Sequence, residues 1–297
     1  MRVTNSMMVR NMLDHLKNNM GDLNDLNEQL SSGKLFQKPS DAPIKVADSM
    51  NYKSQLNRNS QFQRNLGQAE NWLNTTESAF KSGSEVIQRA KELTTYAANG
   101  TMTPDDRKMV AKEMKQLRDE LIDISNAKLG DSYIFSGQKT DEKPFEVIDQ
   151  DIGNYVQYTG DTNSVKRRLN ENVEMSISLT GKKAFENEIE NLNRIYTQLE
   201  DPEISGEEIG NNLSDMSESI NKFAELRSEV GGKLQRAGNI INRLSANEVH
   251  LKSLKSQNED ADLAEVITNL KMEETVYRAS LASGSRIMQQ SLVDFIR

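Results

Sequence analysis

The chain has 297 residues, 28% of them charged and 5% aromatic, with a mean hydropathy of -0.71 and a net charge of -8. These proportions favour long helices with narrow apolar seams over one thick core, and the acidic balance disfavours a sequence-independent grip on nucleic acid. The absence of cysteine excludes disulfides, thiolate metal sites and thiol catalysis, and no apolar run is long enough to span a membrane.

The opening residues Met1-Arg2-Val3-Thr4-Asn5-Ser6 lack the uninterrupted apolar segment of a secretory signal. The expectation is a cytoplasmic protein, or one exported without a cleaved signal. Val9, Leu13, Leu16, Met20, Leu23 and Leu30 then recur in alternating steps of four and three, with Asn27 at the one polar step. Such a repeat predicts a helix that lies along another helix. Gly33 can cap its C-terminus, and Pro39 and Pro43, flanking Ser40 and Asp41, cannot continue it. Ser40 or Asp41 is the expected N-cap of the next helix, with Pro43 in its first turn.

That next helix is long. Phe62, Leu66, Ala69, Leu73, Thr76, Phe80, Gly83, Ile87 and Ala90 keep the rhythm, and no proline intervenes between Pro43 and Asn99. At 1.5 Å per residue the span would be roughly 85 Å. Gly67 and Gly83 each cost ~1 kcal/mol in such a helix, so both are expected at close helix approaches. Thr103-Pro104-Asp105-Asp106 starts another helix, with Thr103 as cap, Pro104 first and two acids at the positive dipole end. Its seam is Val110, Met114, Leu117, Leu121 and Ile124, and it should fold back antiparallel on its predecessor.

From Asn126 the pattern changes. Tyr133-Ile134-Phe135, Phe145-Glu146-Val147, Tyr155–Tyr158 and Val173–Leu179 are short β-type runs separated by turn residues. Residues 138–182 therefore read as a small β insertion without much core of its own. Within it, Lys166-Arg167-Arg168 reads as a solvated strand or turn. Helical rhythm returns over Ala184–Leu199 and, after Asp201-Pro202, runs from Ile209 through Leu213, Met216, Ile220, Phe223, Val230, Leu234, Ala237, Ile241, Leu244 and Leu251. Arg227 and Glu248 fill its polar steps. Gln257–Asp262 forms a polar joint, followed by Leu263, Ile267, Leu270, Tyr277, Leu281, Met288, Leu292 and Phe295, with Glu274 and Gly284 at the remaining seam positions.

The expected fold is mainly α: a long antiparallel helical bundle or coiled-coil rod, a small β insertion in mid-chain, and terminal helices paired at one pole. Its divisions are residues 1–41 with 256–297 as a terminal coiled-coil assembly domain, 42–137 with 183–255 as a helical rod, and 138–182 as the insertion. Both ends should be loose in the monomer and fold on assembly. Catalytic chemistry is absent: His15 and His250 stand alone on helical stretches, and neither a phosphate-binding glycine loop nor a convergent ligand set is present. No enzyme activity, cofactor or metal is expected.

Several segments together resemble the flagellin superfamily, and within it the hook–filament junction branch. They are Met1–Thr4 with the first stripe and Leu30-Ser31-Ser32-Gly33, then Pro39-Ser40-Asp41-Ala42-Pro43 and Tyr133-Ile134-Phe135-Ser136-Gly137 before Pro144-Phe145. At the other end stand Val230-Gly231, Asn242-Arg243-Leu244, Glu259-Asp260-Ala261-Asp262-Leu263-Ala264-Glu265 and Gln290–Ile296. Gly33, Pro39, Ser40, Asp41, Pro43, Asp260 and Asp262 carry the family motifs, while Ala42 departs where a second acid is frequent. The resemblance implies a non-enzymatic structural subunit of the bacterial flagellum, outside the cell, exported unfolded by the flagellar type III apparatus after a transient stay in the cytoplasm. Its implied partners are other copies of itself in a ring, the first hook-associated protein, the flagellin filament, and an export chaperone on the C-terminal helix, with no nucleic acid and no membrane span. A filament-forming flagellin of the same superfamily, and a non-flagellar protein with a coiled-coil stalk, are the alternatives.

Overall fold

The computed structural model describes residues 5–99, 102–150, 153–171 and 173–295, the side chains of 5–6, 148–150, 153–155 and 287–295 excepted. Seven helices occur among them: α1 (Asn5–Ser32), α2 (Pro43–Ala98), α3 (Pro104–Ser125), α4 (Gly181–Glu200), α5 (Gly206–Gly210), α6 (Leu213–Glu259) and α7 (Leu263–Phe295). Six short strands lie between α3 and α4: β1 (Lys128–Leu129), β2 (Ser132–Tyr133), β3 (Phe145–Gln150), β4 (Gly153–Tyr158), β5 (Lys166–Asn170) and β6 (Val173–Ser176). The fold is thus mainly helical with a small strand-containing region in mid-chain, as the sequence leads one to expect. The chain forms two compact units, an end unit of the residues up to Arg58 with those from Asn247 on, and a middle unit of Asn59–Ala246.

In the middle unit the predicted seams are the core. Leu66, Ala69, Leu73, Thr76, Phe80, Ile87 and Ala90 of α2 are buried, as are Met216, Phe223, Val230, Ala237 and Leu244 of α6. The polar step at Arg227 is an ion pair across that seam, its guanidinium donating to Glu77 at 2.8 Å. Asn59 donates to the carbonyl of Leu244 at 2.8 Å. Thr103 caps α3 as expected, closing a capping box with Asp106 behind Pro104, and Arg89 of α2 reaches Glu113 of α3 at 2.7 Å. Gly83 does mark a close approach: a Cβ there would meet the Phe223 ring at 3.2 Å, whereas one at Gly67 would have nothing within 4 Å. The close-approach expectation therefore holds for Gly83 and fails for Gly67.

Two further expectations are corrected. Ile209 belongs to the separate α5, because the chain breaks at Asn211 and Asn212. There the buried Asn212 side chain donates to the Ile209 carbonyl and to Gln198, which spends its polarity on the turn instead of on a continued helix. The strand region is three separate antiparallel hairpins. Ile134 and Phe135 continue no strand; they are fully buried in a loop. Lys166, Arg167 and Arg168 are exposed on β5, which pairs with β6.

The hairpins cannot build a core of their own and share that of the helices. Phe80, Phe135, Phe145, Phe185 and Phe223 come from α2, the β2 loop, β3, α4 and α6, with neighbouring ring centroids 4.8 to 6.5 Å apart. Tilted and edge-on ring pairs in this range add to the burial of their area. The Tyr158 hydroxyl lies 2.8 Å from the Asp161 carbonyl and 3.0 Å from that of Phe135, tying β4 to the loop. Burial and the nearby Asp161 carboxylate push its phenol up to about 12.

Lys222 of α6 donates to the buried Glu188 of α4 at 2.9 and 3.1 Å. Burial nonetheless raises the Glu188 carboxyl above its ordinary value of 4.5, the lysine only offsetting part of the desolvation. Lys222→Met should destabilise the middle unit by about 2 kcal/mol at pH 7, discounted for the partial exposure of the lysine. A raised carboxyl favours folding below its unfolded value, and that advantage is lost as pH rises through the folded one. The penalty of Lys222→Met should therefore shrink as pH falls through the raised folded value, which lies above 4.5. Denaturant melts at neutral and acid pH test this; an equal penalty at both would contradict it.

Candidate assembly surface of the chain ends

The end unit is closed by a clasp in which the segment after Gly33 meets the segment around Asp260. Gly33 ends α1 at φ +68, a left-handed conformation that glycine adopts without Cβ strain. The chain then runs beside the α6–α7 joint. Leu35 N–H donates to the Glu259 carbonyl at 2.8 Å, Ala261 N–H to the Gly33 carbonyl at 2.9 Å, and Lys34 and Asp260 form an antiparallel bridge. Asp262 caps α7, its carboxylate accepting from Ala264 N–H at 2.9 Å. Asp41 does not cap α2. Its carboxylate turns back to accept from Lys38 N–H at 3.0 Å and from the Ser40 hydroxyl, and α2 starts at Pro43 behind Ala42. The Lys38 hydrogen bond in particular holds the Asp41 carboxyl below its usual value. Pro39 and Ser40 are exposed in this turn.

Glu259 is the polar centre of the clasp. It is 7% exposed and accepts from Lys34 and Ser49, with Lys255 at 3.5 Å. Burial opposes its charge, but the Lys34 and Ser49 hydrogen bonds outweigh it and hold the carboxyl below 4.5. A lowered carboxyl contributes stability above its unfolded value, lost as pH falls through the folded one. Glu259→Gln should cost the clasp about 1.4 kcal/mol at neutral pH, read as roughly tenfold faster hydrogen exchange at the Leu35 and Ala261 amides. The difference from the parent should close as pH falls below 4.5. Unchanged exchange at neutral pH would show that the clasp stands without its carboxylate.

The two terminal stripes pack on one another, antiparallel, within the single chain. Asn19 reaches Ser280 at 3.4 Å, and Met12 fills the space over Gly284, where a Cβ would overlap the methionine methyl carbon. The half-buried positions of α1 include Val9, Met12, Leu16, Asn19, Leu23, Leu26 and Leu30; those buried or half-buried on α7 include Val266, Leu270, Glu273, Tyr277, Ser280 and Gly284. The expected assembly seams are thereby divided. Val9, Leu16, Leu23, Leu30, Leu270 and Tyr277 face inward, whereas Leu13, Met20, Leu263, Ile267 and Leu281 are each about half exposed (46–57%). The side chains of Met288, Leu292 and Phe295, and the segment Met1–Thr4, lie outside the described residues. His15 and His250 are exposed helix residues. Met12, Leu26, Val266 and Glu259 are the contributors that sequence reasoning missed.

Chain ends that return to one antiparallel helix pair, combined with a helical core carrying strand hairpins, define a protein of the flagellin class. The chain belongs to the flagellin family: the bacterial flagellin N-terminal helical region matches residues 3–140 and the C-terminal helical region residues 213–296. Over 98% of both chains it is 26% identical to flagellar hook-associated protein 3 of Escherichia coli, and over the full length of both it is 26% identical to the protein of that name in Salmonella typhimurium. Its fold matches the solved flagellar hook-associated protein 3 of Legionella pneumophila with a TM-score of 0.65, at 14% identity, over 70% of this chain and 98% of that one.

Proposed function

We propose that this chain is a structural, non-enzymatic subunit of the bacterial flagellum that joins the hook to the flagellin filament. End-to-end similarity to two flagellar hook-associated proteins carries this reading. The distribution of exposed apolar side chains supports it: among the described residues, twelve of the fifteen large exposed ones belong to the end unit. Clustering of that kind marks a surface that neighbours cover. Those neighbours are other copies in a ring, the first hook-associated protein on one side and the filament on the other. Residues 1–41 and 256–297 do the assembling, 42–137 and 183–255 form the rod, and 138–182 are an insertion that shares the rod's core. Export through the flagellar type III apparatus delivers the chain to the cell exterior, with a chaperone over α7 beforehand; truncation of 258–297 should abolish capture by that chaperone.

Leu281→Glu places a charge in the exposed row without touching the middle unit. In a strain lacking the native gene, the variant should fold and be secreted yet leave flagellin unattached to hooks. A full filament in that strain would refute the reading. Long filaments formed by the purified parent alone under salting-out conditions would replace it with a filament-forming role.

A further inference from the structure

The five glycines inside α2 and α6 are of two kinds. Gly83 has the Phe223 ring against it, whereas Gly67, Gly231, Gly232 and Gly238 would meet nothing within 4 Å if each carried a Cβ. None of the four has a positive φ. Alanine would therefore fit at each without strain and would hold the helix more firmly, because glycine loses more backbone freedom on folding. Neither close packing nor a left-handed backbone calls for glycine at these positions.

All four share one level of the middle unit. The Asn59–Leu244 and Glu77–Arg227 hydrogen bonds fix an antiparallel register of α2 on α6. It sets Gly67 beside the stretch of α6 that carries Gly238, and Gly231 and Gly232 beside the stretch of α2 that carries Trp72. The unit thins at the same level. Arg89 of α2 pairs with Glu113 of α3, so α3, which ends at Ser125, stops level with about Glu77. Glu188 and Arg194 of α4 pair with Lys222 and Asp215 of α6, so α4, which begins at Gly181, starts level with about Glu229. Four helices therefore pack around the phenylalanine cluster, and from there to the limit of the unit at Asn59 and Ala246 α2 and α6 continue without α3 or α4. The seam of this neck includes the small residues Ala69 and Ala237, both fully buried. The β5–β6 hairpin lies along α2 there, the Asn65 side chain donating to the Arg168 carbonyl at 2.9 Å, but it reaches none of the four glycines.

We propose that this neck is a bending joint, at which the four-helix part of the middle unit tilts through flexure of α2 and α6 at Gly67, Gly231, Gly232 and Gly238. Sharp bends in helices favour glycine pairs, and Gly231-Gly232 is such a pair on the exposed side of α6. Within the four-helix part, bending one helix would drag its neighbours through a close-packed core that resists small displacements. In the neck the same bend moves one partner helix across a thin seam. A hinge of this kind needs only a few residues that absorb the backbone change, and here they are gathered where the fewest contacts oppose it. The motion belongs to the single chain and needs nothing from the junction reading.

The chain has no cysteine, so nitroxide labels can be placed at chosen sites. Full-length protein labelled at Lys112→Cys on α3 and Ser245→Cys on α6, both exposed positions, and diluted with unlabelled protein, reports the tilt as a distribution of label-to-label distances in pulsed electron spin resonance. Replacing all four glycines by alanine should narrow that distribution at least twofold. Gly21→Ala in α1, where a Cβ also has open space, should leave it unchanged. Hydrogen exchange gives a second reading: in the parent the amides of Gly231–Asn242 should exchange at least tenfold faster than those of Met216–Leu226 in the same helix, and the alanine variant should remove most of that difference. Circular dichroism checks that the variants remain helical. An alanine variant as broad as the parent, a parent whose neck exchanges as slowly as its four-helix part, or exchange slowed by one common factor in both parts would each overturn the proposal.

Discussion

Phe185→Ala should destabilise the middle unit by about 4 kcal/mol, the middle of the range for removing a buried phenylalanine ring. Phe185 is fully buried and its ring meets those of Phe80, Phe135, Phe145 and Phe223. Its loss leaves a cavity bounded by four other rings on separate elements, which cannot all collapse inward together. The hairpins should suffer with the helices, because Phe145 and Phe135 hold them to this cluster. Trp72, the single tryptophan, is buried on α2 within the same unit and reports its unfolding directly. Denaturant titration followed by Trp72 fluorescence should show the midpoint falling; a loss below about 1.5 kcal/mol would mean that the site repacks.

Gly284→Leu should uncouple the chain ends while sparing the rest. A Cβ at this position would collide with the flexible end of Met12, so a leucine must displace that end and then find room for its own branched chain between the helices. Overpacking of a closely fitted contact costs typically ~1 to 3 kcal/mol, comparable with the whole stability of a two-helix pair without neighbours. Hydrogen exchange along α1 and α7 should accelerate by tenfold or more, with Trp72 fluorescence melts unchanged and hook–filament attachment lost. Protection equal to the parent's along α1 would show that Met12 can be rehoused without cost.

The long helices were legible because their seams are spaced correctly and each has one buried face. Leu66 to Ala90 of α2 and Met216 to Leu244 of α6 are where the periodicity puts them. The terminal stripe was legible as a helix but ambiguous as a face. Met12 and Leu13 are both apolar, so steps of three and of four from Val9 fit equally well, and only the gap over Gly284 selects Met12. The same ambiguity recurs as Asn19 with Met20 and Leu26 with Asn27. It has a physical source, since a helix covered on more than one side needs more than one apolar row. Glu259 stood in a family segment, but nothing there marked it as buried or named its partners. Its partners Lys34 and Ser49 are more than two hundred residues away, and a glutamate in a polar joint looks like any solvated acid. Ile134 and Phe135 read as strand because β-type residues also suit a buried loop whose backbone bonds elsewhere, as when Gly181 N–H donates to the Phe135 carbonyl at 2.8 Å.

Met12 rests on Gly284, so α1 is without its partner until the more than two hundred and fifty residues between them have been made. A copy interrupted between Ala246 and Leu263 could still build the aromatic cluster, yet it would present an unmatched α1. Only a molecule that carries α1 and α7 together offers both halves of that surface.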